Sequence, residues 1–408
     1  MASPIPSLTR PDRPADAPRG PLDGLVVVDL TRALAGPHAA MMLGDLGADV
    51  VKVENPNGGD DTRGWGPPFV EPEQGEREST YFLCTNRNKK SVTIDLKEDA
   101  GKATLETLIR RADVLMENFR PGVLDRLGFS QAHLADINPR LVVLSISGFG
   151  HDGPEAGRAG YDKIAQGEAG LMSVTGSGPT DPQCVGVPIA DLLAGMYGAF
   201  GVLAALHERE RTGCGQVVRA SLLAAVVGVH AFQGTRWTVA GEVGEATGNH
   251  HASICPYGLF DSADGAVQIA VGSAGLWKRF CDGFGLDPAA PGMASNPERV
   301  ANRKRVNELV QGVFSLYPSE ELLAKLDRIG VPAGRIRTIR DVYEWDQTKS
   351  QGLLIEVDHA TLGTIELPGP PLRFFDTNGA EVTRRDHSAP PVLGADNDLI
   401  ATVQAGHR

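Results

Sequence analysis

Strand and helix patterns alternate over the first 150 residues, and this alternation constrains the fold more than any other feature of the sequence. Residues 25–30 form an apolar, β-branched run typical of a buried strand, a helix is predicted over 38–46, and residues 50–53 form a second strand. Gly36 and Pro37 separate the first strand from the helix. Because a strand–helix–strand order joins parallel strands by a right-handed crossover, the sequence predicts an α/β fold with a Rossmann-like parallel sheet.

The same alternation continues towards residue 146. It predicts strands near 91–95, 113–116 and 141–146, a helix near 99–111, and short helices up to about 137. The Gly- and Pro-rich residues 147–160 follow, and we interpret them as a loop on the ligand-binding edge of the sheet. The first strand-to-helix turn lacks the Gly-x-Gly-x-x-Gly fingerprint, which disfavours a nicotinamide-dependent oxidoreductase.

Changes of composition suggest two domains, which a chain of 408 residues is long enough to form. Residues 1–20 are rich in Pro and polar groups and are predicted to be a disordered tail. A large domain is expected over 21–225, a smaller α+β domain over 245–335, and a return of the chain to the large domain over 350–408.

Charge and cysteine content exclude several classes of function. The formal net charge of −12 argues against general binding to nucleic acid or to an anionic membrane. The five cysteines are scattered without Cys-x-x-Cys spacing, so we expect no disulfide framework, no zinc site and a reducing, cytoplasmic location. No apolar run is expected to reach the ~18 residues of a membrane span.

A long apolar helix rich in small residues is predicted to begin at Asp191, a favoured N-cap type. A carboxylate among the unpaired N–H groups of a helix start should stay ionised. Three glycines on this helix leave room for another backbone or a ligand to approach: Gly195, Gly198 and Gly201. From spacing alone, the simplest interpretation is that Asp191 only caps the helix.

Cationic and amide side chains are concentrated in the predicted large domain. They are Arg87, Lys89, Lys90, Lys97, Asn118, Arg120 and Arg126. Basic residues on an acidic protein usually form a solvated surface. However, residues 118–120 directly follow the strand at 113–116, where open α/β sheets bind ligands, and phosphate groups require such donors.

Several motifs in a fixed order identify a family. PLDGLVVVDLTRALAGP (21–37), LGADVVKVE (46–54), NRNKKSVTIDLK (86–97) and ENFRPGVLDRLG (117–128) precede Ala159-Gly160-Tyr161-Asp162 and the Asp191 helix. Residues 21–223 thereby resemble the class III CoA-transferases, the family of formyl-CoA transferase and α-methylacyl-CoA racemase. The segments 251–257, 330–334 and 390–394 extend the resemblance towards the end of the chain.

The resemblance implies an enzyme that moves CoA between carboxylic acids through an aspartyl-CoA thioester on Asp191. Coenzyme A would then be a substrate and product, with no permanently bound cofactor and no metal. An interlocked homodimer is also implied. The residues expected to line the CoA site are Lys52, Ile94, Lys97, Asn118, Phe119, Arg120, Arg126 and Tyr161. Leu34 departs from the family, where this position is sometimes a Gln beside the reacting centre.

Tyr161 stands where the racemases resemble Ala-Gly-His-Asp. A tyrosine with an ordinary pKa near 10 is a poor base at neutral pH, so racemisation of an acyl-CoA is disfavoured but stays an alternative. A non-catalytic acyl-CoA-binding protein is a further alternative. Asp162, next in the chain, could pair with the Asp191 carboxylate.

The run GDDTRGWGPPF (59–69) most resembles the branch that moves CoA from succinyl-CoA to glutarate. A dicarboxylate acceptor requires a cation for its distal carboxylate, and Arg87 is the candidate. By its position in the family pattern, His251 is expected in a loop near the acyl group, with a satisfied surface histidine as the alternative. The adjacent His250 and His251 could not both face one metal ion, which makes a metal site improbable.

Overall fold

The computed structural model describes residues 18–73 and 75–405, so most of the predicted disordered tail lies outside the described residues. The chain forms two compact units. The first comprises the chain up to Leu171, Val185–Thr235 and the chain from Gln347; the second comprises Met172–Cys184 and Arg236–Asp346. No sequence pattern indicated that residues 172–184 belong with the second unit.

The strands are β1 (Val26–Asp29), β2 (Asp49–Glu54), β3 (Phe69–Val70), β4 (Glu78–Ser79), β5 (Lys89–Thr93), β6 (Val114–Glu117), β7 (Val142–Ser147), β8 (Val217–Ser221), β9 (Tyr257–Asp261), β10 (Ala266–Ala270), β11 (Ala333–Arg335), β12 (Leu354–His359) and β13 (Gly363–Pro368). The helices are α1 (Ala35–Asp45), α2 (Thr80–Leu83), α3 (Asp99–Ile109), α4 (Val123–Arg126), α5 (Gln131–Ile137), α6 (Asp162–Glu168), α7 (Ile189–Thr212), α8 (Leu222–Gly228), α9 (Ala231–Ala240), α10 (Ala274–Phe284), α11 (Asn296–Ala301), α12 (Arg303–Phe314), α13 (Ser319–Arg328), α14 (Ile339–Glu344), α15 (Asp346–Ser350) and α16 (Asp398–Ala405). Short 3-10 turns lie at Asp61–Gly64 and Leu171–Val174.

The first unit is built on a parallel sheet of six strands in the order β5-β2-β1-β6-β7-β8. The chain starts at the centre with β1, moves outward through β2 to β5, and then returns to place β6 beside β1. This order confirms the predicted Rossmann-like sheet. Its topological switch point lies between β1 and β6, where open α/β sheets bind ligands at the carboxyl ends of their strands.

Helices cover both faces of this sheet. Alternate strand residues such as Val27 and Leu144 pack under α1 and α7, whereas Val28 and Leu115 pack under α3 and α5. Because both faces are buried, the strands are continuously apolar rather than alternating with polar residues.

Helix α7 begins two residues earlier than predicted. Pro188 is the residue before its first turn, so Asp191 is the third helical residue rather than the cap. A Cβ on Gly195 would lie 2.5 Å from the Ala35 carbonyl oxygen, so only glycine allows α7 and α1 to approach this closely.

The length and composition of α7 correct the expectation that no apolar run approaches a membrane span. Over its 24 residues it is long and apolar enough to pass that test, with a mean hydropathy of 1.8 in its most apolar stretch. A single such helix is weak evidence for a span, because a core helix passes the same test. In this protein Ala194 and Val202 of α7 are wholly buried in the core of the first unit.

The second unit has the predicted α+β character. An antiparallel sheet in the order β11-β10-β9 packs with α10, α12 and α13 around an aromatic core that includes Trp277, Phe280 and Phe314. The strands β9 and β11 were not predicted. The antiparallel hairpin of β12 and β13 belongs to the first unit.

Candidate functional site

A buried ionic network supports the loop between β1 and α1. Lys89 donates to Asp29 at 3.0 Å and to the Pro37 carbonyl at 2.9 Å, and Lys52 lies 2.8 Å from Asp60. The side chains of Lys52, Lys89 and Asp29 are wholly buried, so each charge requires a partner inside the protein. These pairs fix the β1 end of the crevice at the switch point.

The two loops at the switch point are tied directly to each other. Asn118 accepts from the Arg32 N–H at 2.9 Å and donates to the Arg32 carbonyl at 2.7 Å. Ala33 follows in the left-handed region, with φ 65°, and donates its N–H to Asp60 at 3.2 Å. A non-glycine residue in this conformation costs of order 1 kcal/mol, so the surrounding hydrogen bonds hold the loop in one shape.

Two carboxylates meet at the start of α7. The Asp162 side chain accepts from the backbone N–H of Ala190 at 2.8 Å and of Asp191 at 3.4 Å, so Asp162 caps α7 from the first turn of α6. Gln166 donates to the other Asp162 oxygen at 2.7 Å and accepts from the Val185 N–H at 2.9 Å. The suspected proximity of Asp162 and Asp191 is therefore present in the structure.

Burial, followed by repulsion from Asp162, raises the pKa of Asp191 to about 7. The expectation that the helix start would keep this carboxylate fully ionised is therefore wrong, because the lost hydration and the second negative charge act against it. At neutral pH the Asp191 carboxyl exchanges readily between its neutral and ionised forms. A group with this pKa can serve as a nucleophile or exchange a proton.

Tyr81 is a third member of the site that the sequence did not identify. Burial and then the nearby Asp191 raise the pKa of Tyr81 to about 12, so its hydroxyl remains a hydrogen-bond donor. The ring packs edge-on against Trp65, with the centroids 5.1 Å apart. The sequence did contain a motif around Trp65 that resembles one branch of a known family, but that resemblance assigned no role to Tyr81.

The residues expected to bind CoA fall into two groups. Lys97, Arg120 and Arg126 are exposed, and Asn118 and Phe119 are half-buried at the switch point. Arg120 also lines a cavity of about 220 Å³.

Lys52 and Ile94 differ from that expectation. Lys52 is sealed inside the ion-pair network, and the Ile94 side chain belongs to the hydrophobic core. Both side chains are therefore shielded from the solvent-exposed edge of the sheet.

Arg87 does not have a free charge for a distal substrate carboxylate. It binds both oxygens of Asp45, at 2.8 and 2.6 Å, and donates its remaining nitrogen to the Pro368 carbonyl at 3.0 Å. Its side chain is 4% exposed. Asp45, 42 positions away in sequence, already neutralises this guanidinium, so these contacts do not support the predicted substrate role of Arg87.

The last two predicted site residues have separate surroundings. Tyr161 is 67% exposed and directly precedes α6, beside Asp162. His251 belongs to the second unit, where its ring stacks on Tyr257 and its Nδ1 accepts from the Ser253 N–H at 3.0 Å. Its role stays a prediction. Across residues 18–73 and 75–405 there is no group of three or more His, Cys, Asp and Glu side chains that could hold a metal ion.

Comparison with known proteins gives a consistent assignment. The family described as CoA-transferase family III matches residues 22–397. The chain is 41% identical to a succinate–glutarate CoA-transferase of Agrobacterium fabrum over 86% of this chain and 88% of the relative. It is 37% identical to a succinyl-CoA:glutarate CoA-transferase of Mus musculus over 94% of this chain and 86% of the relative. The crystal structure of a CAIB/BAIF family protein from Brucella suis superposes with a TM-score of 0.81 at 40% identity, covering 94% and 99% of the two chains.

Proposed function

The chain belongs to CoA-transferase family III and is a CoA-transferase, and from that premise we propose that it moves CoA from succinyl-CoA to a dicarboxylic acid such as glutarate through a thioester on Asp191. The observation that carries this proposal is the Asp191 carboxyl in the first turn of α7, whose pKa is raised to about 7 beside Asp162 and Tyr81.

The reaction follows from the chemistry of one nucleophilic carboxylate. The Asp191 carboxylate attacks the thioester carbonyl of the donor, giving a mixed anhydride and expelling CoA thiolate. The thiolate then attacks the Asp191 carbonyl, forming aspartyl-CoA and releasing the donor acid. The acceptor carboxylate repeats these steps in reverse, so no proton is gained or lost overall and covalent catalysis divides the transfer into steps between acyl groups of similar energy.

The surroundings of Asp191 suit each step. Burial removes hydration from the carboxylate and makes it more reactive, and at a pKa of about 7 roughly half of the carboxyl groups are still ionised at neutral pH. Tyr81 remains protonated and can donate to a negative oxygen formed beside Asp191.

Coenzyme A is proposed to bind at the switch point of the sheet. Lys97, Arg120 and Arg126 are exposed cations suited to phosphate groups, and the Asn118–Arg32 pair holds the adjacent loop. This edge of the sheet is also where the start of α7 meets the start of α1, as the contact of Gly195 with Ala35 requires. The same crevice can therefore bring a thioester towards Asp191.

A homodimer and a cytoplasmic location complete the proposal. Large apolar side chains remain exposed on α7, α8 and α9, including Phe200 at 69%, Val227 at 50% and Phe232 at 48%. Such a surface is typical of a protein interface, and an interlocked arrangement is implied by the resemblance to the family. All five cysteines are unpaired, which fits a reducing compartment. Light scattering of the purified protein tests the dimer.

Trapping the intermediate tests the function. Protein incubated with succinyl-CoA and digested at low pH should give a peptide carrying CoA on Asp191, identified by mass spectrometry. Asp191→Asn should lose both the adduct and turnover while retaining CoA binding and thermal stability. Turnover in freshly purified Asp191→Ala would contradict the nucleophile assignment, and a glutarate-to-valerate ratio of specificity constants near one would contradict the dicarboxylate preference.

A further inference from the structure

His38 is the fourth residue of α1 and lies against α7, the helix that carries Asp191. Its Cδ2 is 3.2 Å from the position that a Cβ on Gly195 would occupy. Side chains on an α-helix lean towards its N-terminus, so this position covers the turn of α7 that contains Asp191. The His38 ring therefore lies about one helical turn, or ~6 Å along the axis of α7, on the C-terminal side of Asp191.

The imidazole of His38 is available to a ligand. Among the described residues no group hydrogen-bonds to either ring nitrogen, and neither nitrogen is both sealed from solvent and unpartnered. The side chain is half-buried, whereas its neighbours Pro37 and Ala39 are buried. The two ring nitrogens can therefore form hydrogen bonds with a ligand.

We propose that His38 contacts the carboxylic acid substrate, donating a ring N–H to an oxygen of the carboxylate that is bound against Asp191. This inference rests on the proposed transfer of CoA to an acid. The offset of one helical turn between His38 and Asp191, ~6 Å along α7, is comparable with the span of one carboxylate that contacts both groups. His38 would then be a specificity-determining contact for the acid, separate from the exposed cations proposed for CoA.

The His38 ring is uncharged at neutral pH, so it acts on a carboxylate as a hydrogen-bond donor. Burial, followed by the nearby cations Arg87 and Lys89, lowers the pKa of His38 to about 4. The ring is therefore neutral at neutral pH, with one nitrogen as a donor and the other as an acceptor. The Asp191 thioester is also neutral, so it does not repel an incoming acid carboxylate.

Two variants of similar size separate the hydrogen bond from packing. His38→Phe keeps a planar ring and removes both nitrogens, whereas His38→Gln keeps an N–H donor. With succinyl-CoA as donor, His38→Phe should raise the KM for glutarate about tenfold or more, because the bond to a charged acceptor is lost. His38→Gln should stay within about threefold of the wild type. The Kd for CoA, measured by calorimetry, should change less than twofold in both.

Acid binding is also measured directly, by titrating glutarate into each protein in the presence of saturating CoA. An unchanged glutarate affinity and KM in folded His38→Phe would overturn the inference. Equal losses of acid and CoA binding in both variants would also overturn it, since they indicate a packing defect. If His38→Phe does not fold, His38→Ala provides the donor-free variant. A wild type that binds glutarate but transfers no CoA contradicts the proposed function while leaving the His38 contact to be decided by the titration.

Discussion

Replacing Asp162 by Asn should shift the pH dependence of Asp191 chemistry towards acid. The substitution keeps an oxygen that can accept from the Ala190 N–H and removes the negative charge near Asp191. The pKa of Asp191 rises from 3.8 to about 7, with burial as the larger cause and Asp162 as the smaller. The total rise is about 3.2, so Asp162 contributes at most half, and the variant should place this pKa between about 5.5 and 7.

The expected rate follows from the ionised fraction of the nucleophile. At pH 6 a group with a pKa of about 7 is about one-tenth ionised, and a group at ~5.5 would be about three-quarters ionised. Single-turnover formation of aspartyl-CoA at pH 6 should therefore be up to about eightfold faster in Asp162→Asn, relative to its own rate at pH 8. The assay is rapid quench with saturating succinyl-CoA between pH 5 and 8.5.

A control is needed because Asn would turn an N–H towards Gln166, which already donates to Asp162. Losing that hydrogen bond should lower stability by about 1–3 kcal/mol. Gln166→Met loses the same bond and keeps the Asp162 charge, so its rate profile should retain the acidic limb near pH 7. If the profiles of wild type and Asp162→Asn coincide, repulsion between Asp162 and Asp191 does not set the reactivity of the nucleophile.

Three further predictions concern stability and substrate choice. Gly195→Ala should lower the free energy of unfolding by about 1–3 kcal/mol in urea titrations, because its Cβ would press on the Ala35 carbonyl; an unchanged midpoint would contradict the close approach. Arg87→Met should lower the free energy of unfolding by about 3–5 kcal/mol, because Asp45 stays buried without its partner. A folded Arg87→Met protein should retain the wild-type ratio of the specificity constants for glutarate and valerate; a ratio near one would instead show that Arg87 binds the distal carboxylate. Burial, with nearby Arg384 and Arg87, lowers the pKa of His387 to about 4. The unfolded chain therefore takes up a proton on this histidine at a higher pH than the folded protein does, and the free energy of unfolding should fall as the pH drops from about 6.5 to 4. Urea titrations at each pH should show a smaller fall in His387→Gln.

Local patterns in the sequence were sufficient for the architecture of the first unit. The apolar runs at 25–30 and 50–53 with a helix between them required parallel strands, and the position of residues 118–120 after a strand predicted the ligand edge. These features depend on hydrophobic periodicity and strand-to-helix order, which are properties of neighbouring residues.

Other elements depended on contacts that periodicity does not report. The chain from 222 to 240 forms two helices, α8 and α9, and α9 begins at Ala231, whose φ is positive at 47°. The short strand β11 is defined by pairing with β10, more than sixty residues earlier in the sequence. An isolated three-residue segment contains too little pattern to predict a strand.

In the candidate site, too, the sequence predicted some features and only the tertiary structure revealed the others. The family motif was enough to single out Asp191 as a candidate nucleophile, but the partners that set its environment came only from the tertiary structure. Asp162 reaches the start of α7 from α6, and Asp45 forms an ion pair that neutralises Arg87. Motif and spacing depend on residues near in sequence, whereas pKa and charge neutralisation depend on burial and on the field of groups brought together by folding. The sequence by itself therefore determined the sheet and the candidate nucleophile, and only the tertiary structure decided which charges remain free to act.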